Sequence, residues 1–155
     1  MKLKNIINII LMIIWLLIIF LFSAQESDKS LNTSEHVIIK TVETIKGEKL
    51  TEKEKDILID KFLFIVRKSA HFFLYFILGI FVFFIAKNVW GLTRTSFIYT
   101  IIFCLIYACS DELHQLFISG RTARILDVLI DTSGSLLSTF ILFTLHIIKN
   151  RIKSI

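Results

Sequence analysis

Between residues 109 and 134 the sequence reads CSDELHQLFISGRTARILDVLIDTSG, a polar stretch set between two strongly apolar runs. Its side chains suit three kinds of chemistry. Arg121 and Arg124 offer guanidinium forks that match phosphate and carboxylate geometry. Asp111 and Glu112, with His71 upstream, are the residue types that carry general acid–base work. Carboxylates and imidazoles are also ligand types for a divalent metal, and His71, Asp111, Glu112, His114 and Asp127 are the candidates. The chain has no H-E-x-x-H or comparably strong spacing, so no metal and no cofactor are expected. Ser110, beside Asp111, is a possible nucleophile but lacks a G-x-S-x-G context.

The elements that must position these groups follow from composition. The chain has 155 residues, enough for a single domain spanning 1–155, and 55% of them are hydrophobic, with fifteen Phe and no Pro. Mean hydropathy is +0.74. A soluble domain of this size cannot hide so much apolar surface, so the expected class is an all-α polytopic membrane protein. The formal charge of +5 is explained by basic residues near membrane ends. Without a basic stripe interleaved with exposed aromatics, no nucleic-acid partner is expected. Cys104 and Cys109 sit five apart, on different helix faces, and read as small apolar residues rather than as a disulfide or zinc pair.

Four transmembrane helices are expected, at about 5–24, 69–87, 95–113 and 128–148. The first is expected to be an uncleaved anchor: as a signal peptide its core would be long, and Phe22 would occupy a position that calls for a small residue. Trp90 suits an interfacial belt. Residues 25–68 form an extracytoplasmic helical loop with nine basic and nine acidic residues. In it, Ile38, Val42 and Ile45 repeat at helical spacing and Gly47 is a stop signal. Thr51 and Glu54 then form a capping-box pattern, opening a helix with Leu58, Phe62 and Ile65 on one side that continues into the second span.

Lys2 and Lys4, Lys87 and Arg94, and Lys149, Arg151 and Lys153 all face the cytoplasm if both termini do. Measured from these anchors, His71 lies about 24 Å along the second span, Asp111 about 26 Å along the third and Asp131 about 27 Å along the fourth. Three helices therefore bring an ionisable group to one depth, near the outer boundary of the bilayer. Arg67, His71 and Tyr75 share a stripe, Asp111 shares a face with His114 and Gln115, and Asp127 lies one turn from Asp131. Gly134 and Ser138 allow close helix contact, in a dimer as readily as within one bundle. Arg67, Lys68, Arg121 and Arg124 balance Asp111, Glu112, Asp127 and Asp131. A charge at a helix centre costs about 2.5–3.5 kcal/mol, which favours a mutually neutralising cluster facing the interior.

Blander roles compete with this reading. Arg67 and Lys68 also suit interfacial anchors, and Arg121 and Arg124 suit plain loop charges. Asp131 and His71, set inside spans, are harder to dismiss, with an interhelical hydrogen bond as the rival. Ser23 and Gln25 read best as cap residues.

The stretches FSAQESDKS, RKSAHFFLYFILG and YACSDELHQLFISGRTARILDVLIDTSG make the chain resemble the VanZ-like family of bacterial integral membrane proteins, named for a member associated with teicoplanin resistance. The last stretch is the most specific, with S-D-E-x-x-Q, G-R and D-V-x-x-D in order. The resemblance implies a multi-pass protein of the bacterial cell membrane. The family's polar positions fall on Arg67, Lys68, His71, Asp111, Glu112, Gln115, Gly120, Arg121, Asp127, Asp131 and Gly134. It brings no established reaction. The family's often polar position three after His71 is Leu74 here, which argues against a relay through it. Ala123 and a second arginine follow Arg121-Thr122, altering the local charge.

The leading expectation is a non-enzymatic envelope protein. Its ligand-binding residues would be Arg67, Lys68, His71, Asp111, Glu112, Gln115, Arg121, Asp127 and Asp131. Its partners would be the lipid bilayer and a lipid headgroup, a cell-wall precursor or a glycopeptide antibiotic, with a contribution to teicoplanin-type resistance. The alternative is an intramembrane enzyme acting on a lipid-linked substrate, with His71, Asp111 and Glu112 as acid–base groups. A transporter ranks last, because the inner halves of the spans carry few ionisable groups.

Overall fold

The computed structural model describes residues 3–25 and 27–153, all helical apart from short connections. Five helices follow in order: α1 Leu3–Ser23, α2 Ser27–Lys46, α3 Glu52–Trp90, α4 Arg94–Gln115 and α5 Ile125–Lys153. Lys2 lies outside the described residues, as do the side chains of Lys4 and Lys153.

Helices α1, α3, α4 and α5 are each long and apolar enough to cross a membrane. Helix α3 has 39 residues, about 58 Å at 1.5 Å per residue, nearly twice the hydrocarbon thickness. Its polar N-terminal half therefore extends beyond the lipid, and α2 packs against it. Helix α2 ends at Gly47, whose φ of 75° is a left-handed conformation that glycine adopts without strain. Ile38 is buried, as its spacing predicts, but Ile45 is 80% exposed at the C-terminal end of that stripe. Thr51 and Glu54 form the expected reciprocal capping box at the start of α3. Thr51→Ala is expected to cost about 1 kcal/mol, read as faster amide exchange over the first turn of α3 with the spans unaffected.

The interior mixes polar residues with an apolar cluster around Ile19, Leu78 and Val82, and the exterior of the spans is apolar. Ile10, Leu17, Leu21, Phe73, Ile106 and Phe140 are exposed, whereas Ser96, Thr100, Ser135, Ser138 and Thr139 are almost wholly buried. Lipid solvates apolar side chains as well as a protein core does, so helices associate through small residues and hydrogen bonds. The buried hydroxyls are satisfied by their own helices: Thr100 donates to the Ser96 carbonyl at 2.8 Å and Thr139 to that of Ser135 at 2.7 Å. Between helices, Trp15 Nε1 donates to the Leu74 carbonyl at 2.8 Å, and Tyr107 Oη to that of Leu16 at 2.7 Å.

Helix α3 contacts all four others, α5 most extensively. Two glycines make that crossing close. A Cβ on Gly79 would meet Ser135 Cα at 2.9 Å, and one on Gly134 would meet the carbonyl carbon of Phe72 and the amide nitrogen of Phe76 at 3.1 Å each. Gly134 and Ser138 thus serve packing within one chain. Cys104 is buried and Cys109 exposed, on separate faces as their spacing requires.

Candidate functional site

Helix α4 carries Asp111, Glu112 and Gln115 on its last turn, all buried. Asp111 Oδ2 accepts from Ser23 Oγ at 2.7 Å and from Gln115 Nε2 at 3.2 Å. Gln115 Oε1 in turn accepts from Arg121 Nη1 at 3.0 Å. One amide thus links a carboxylate inside the bundle to a guanidinium in the α4–α5 connection. Gly120, with φ 75°, turns that connection so that Arg121 folds back over α4.

Helix α5 carries Asp127 and Asp131 one turn apart, facing α3. Asp127 forms an ion pair with Lys68 Nζ, both side chains mostly buried. Asp131 is 2% exposed, and its Oδ1 lies 3.7 Å from His71 Nδ1, beyond hydrogen-bond length. One donor atom each from His71, Asp111 and Asp131 lies within 4.8 Å of the others. The three groups placed at a common depth by counting along the helices do meet.

Above them is a cavity of about 350 Å³. Among the described residues it is lined by Arg67, Lys68, Arg121 and Arg124, with Gln115 and with Asp127 as the one carboxylate. Burial, reinforced by the neighbouring Arg67 charge, lowers the pKa of Arg121 below the usual guanidinium value. Arginine nevertheless stays charged in proteins, so an anion entering the cavity would relieve that strain. Arg121 Nε is buried without a hydrogen-bond partner among the described residues. A smaller recess of about 100 Å³ reaches His71 from the other side, between Arg67, Gln25 and the α2 hydroxyls of Ser30, Thr33 and Ser34.

A family model described as VanZ/LLP1 matches residues 8–147. The chain belongs to the VanZ/LLP1 family. No curated protein and no solved structure matches it. As a family member with four apolar spans, it is a multi-pass membrane protein.

In this VanZ/LLP1 chain the polar residues meet, but their pairing differs from a simple balance of charges. Of the four carboxylates, only Asp127 forms an ion pair with a lysine or arginine among the described residues. Glu112 accepts the backbone N–H of Arg124 at 2.5 Å, while the Arg124 side chain is exposed. Asp111 and Asp131 sit further into the bundle than the arginines of the connection reach, so they take hydroxyl, amide and imidazole neighbours instead. The donor group also differs from the metal candidates named by residue type. Asp131 joins His71 and Asp111, whereas Glu112 is held by Arg124, Asp127 by Lys68, and His114 stacks on Phe20 at 4.5 Å. Ser110 is exposed and donates to the Tyr107 carbonyl at 2.8 Å.

Ser23 is the residue that sequence reasoning missed. It is no mere cap: it is wholly buried and holds Asp111 across 88 positions of sequence. A signal was present, since Ser23 is a lone hydroxyl at the C-terminal end of an otherwise greasy span, level with Asp111. Tyr75 lies one turn below His71 as the stripe predicted, fully buried, with its hydroxyl lacking a hydrogen-bond partner among the described residues.

Proposed function

We propose that this protein is a non-catalytic envelope receptor for an anionic group, captured in the basic cavity at the outer boundary of the bilayer. The observation that carries the reading is Arg121 Nε, a buried donor without a hydrogen-bond partner among the described residues, in a cavity also lined by Arg67, Lys68 and Arg124. A charged donor left unsatisfied is costly, and a phosphate or carboxylate oxygen supplies what it lacks. The outward placement rests on the basic residues at the opposite end of the bundle, Lys87, Arg94, Lys149 and Arg151, which favour cytoplasmic termini. The ligand classes are a phospholipid headgroup, a lipid-linked wall precursor or a glycopeptide. Capture of the last two connects the protein to teicoplanin-type resistance.

The test is a headgroup-resolved lipid pulldown read by mass spectrometry, comparing wild type with Arg121→Ala. Hydrogen bonds to charged groups contribute about 1.5–3 kcal/mol, so enrichment of the anionic species should fall about tenfold or more in the variant. Equal recovery from both proteins overturns the reading. Susceptibility to teicoplanin, measured in the same pair, separates wall-directed ligands from bulk phospholipid.

A second reading, an intramembrane enzyme acting on a lipid-linked substrate, draws on His71 lying beside Asp111 and Asp131. Catalysis predicts that His71→Ala and Asp111→Asn abolish turnover while ligand capture persists. Capture without chemistry predicts no turnover in wild type either.

A further inference from the structure

We propose that His71, Asp111 and Asp131 together bind one divalent first-row transition cation of the Mn2+, Fe2+ or Zn2+ class inside the bundle. The three donors come from α3, α4 and α5, and one atom from each lies within 4.8 Å of the others. Ligands at about 2.0–2.2 Å from a shared cation stand about 3 to 4 Å apart, so a small contraction closes the site. The 3.7 Å between His71 Nδ1 and Asp131 Oδ1 is too long for a hydrogen bond and suits two ligands of one ion.

A separate observation points the same way. Asp131 Oδ1 is buried and has no hydrogen-bond partner among the described residues, and its side chain is only 3% exposed. Tyr75 Oη, on the next turn of α3 from His71, is also buried and without a hydrogen-bond partner among the described residues. Native proteins leave few such atoms unsatisfied, and buried charges are paired or coordinate metals. Two of the nearby cations have other partners: Lys68 is on Asp127 and Arg121 Nη1 is on Gln115. Two carboxylates and a divalent cation sum to zero charge, the cheapest state for ionic groups surrounded by lipid.

The supporting contacts fit as well. Ser23 and Gln115 both grip Oδ2 of Asp111 and so orient its carboxylate, as outer hydrogen bonds do for ligating groups. One imidazole with two carboxylates favours borderline cations over soft ones. The recess lined by Phe22, Gln25 and the α2 hydroxyls reaches His71. The site uses side chains other than the cations lining the larger cavity, so it does not depend on the anion reading.

The test uses the full-length protein in phosphatidylcholine nanodiscs, stripped with EDTA and then equilibrated with Mn2+, Zn2+ or Mg2+. Metal per chain is read by inductively coupled plasma mass spectrometry, and bound Mn2+ by electron paramagnetic resonance. We expect one equivalent of Mn2+ or Zn2+ in wild type, with a nitrogen coupling from His71. Asp131→Asn and Asp111→Asn should lose it, and Asp60→Asn, an exposed acid on α3, should keep it. Ser23→Ala should weaken binding by about 10- to 100-fold. A wild-type protein that takes up no stoichiometric metal overturns the proposal, because a shared proton then serves the two carboxylates. So does an Asp131→Asn variant that binds as wild type does. Should a variant fail to fold, the wild-type stoichiometry and nitrogen coupling decide alone.

Discussion

Gly134→Val is expected to lower stability by about 3 kcal/mol, the upper end of what over-packing costs, and to open the site with it. The overlap falls on backbone: a Cβ there would run into the Phe72 carbonyl oxygen and stand 3.1 Å from its carbon and from the Phe76 nitrogen. None of these atoms can rotate aside, so α3 and α5 must separate. Gly→Ala in a helix interior normally gains about 1 kcal/mol from propensity, and valine, being β-branched, gains less. The steric loss therefore wins. Phe72 follows His71, and Asp131 lies three residues before Gly134, so the separation acts where α3 and α5 bring that pair together. Thermal unfolding in detergent, followed by circular dichroism, gives the stability change, and metal uptake gives the effect on the site. Ser133→Val, at the same level on the exposed face, should stay within about 0.5 kcal/mol of wild type. Equal stability of the two variants would show that the α3–α5 crossing is looser than described.

Asp127→Ala is the second large effect. It leaves Lys68 charged and without its carboxylate between α3 and α5. Removing one partner of a fully buried pair costs about 3–5 kcal/mol, whereas exposed pairs contribute about 0–1. With 21% and 17% of the two side chains exposed, the expected loss is about 2–3 kcal/mol, between those limits. The double change Lys68→Met, Asp127→Leu should recover most of it, since a buried pair replaced by apolar groups is often neutral or better. A double-mutant cycle on midpoints of unfolding measures the coupling. Additive single changes would mean that lipid headgroups or water already serve Lys68 when Asp127 is gone.

The convergence of polar residues was legible before any coordinates because it depends on rise per residue alone. Counting from basic anchors placed His71, Asp111 and Asp131 at one depth, and they lie within 4.8 Å of one another. The capping box at Thr51, the Gly47 stop and the separation of Cys104 from Cys109 were equally readable, each being a local matter of spacing. Pairing was not readable. Opposite charges at one depth suggested salt bridges throughout, yet one turn of difference along α5 gives Asp127 to Lys68 and leaves Asp131 facing His71.

By itself, then, the sequence determined the class, the four spans and the level at which ionisable groups gather, because hydropathy and helical rise follow from the chain alone. Only the tertiary structure decided that Ser23 and Gln115 hold Asp111, that Glu112 accepts a backbone N–H, and that Asp131 Oδ1 and Arg121 Nε lack hydrogen-bond partners among the described residues. Those outcomes depend on how far each helix is rotated about its own axis. The rotation is set by contacts such as Gly134 against Phe72, made between residues more than sixty positions apart. Helical periodicity says which residues share a face; close packing between distant helices says which faces meet.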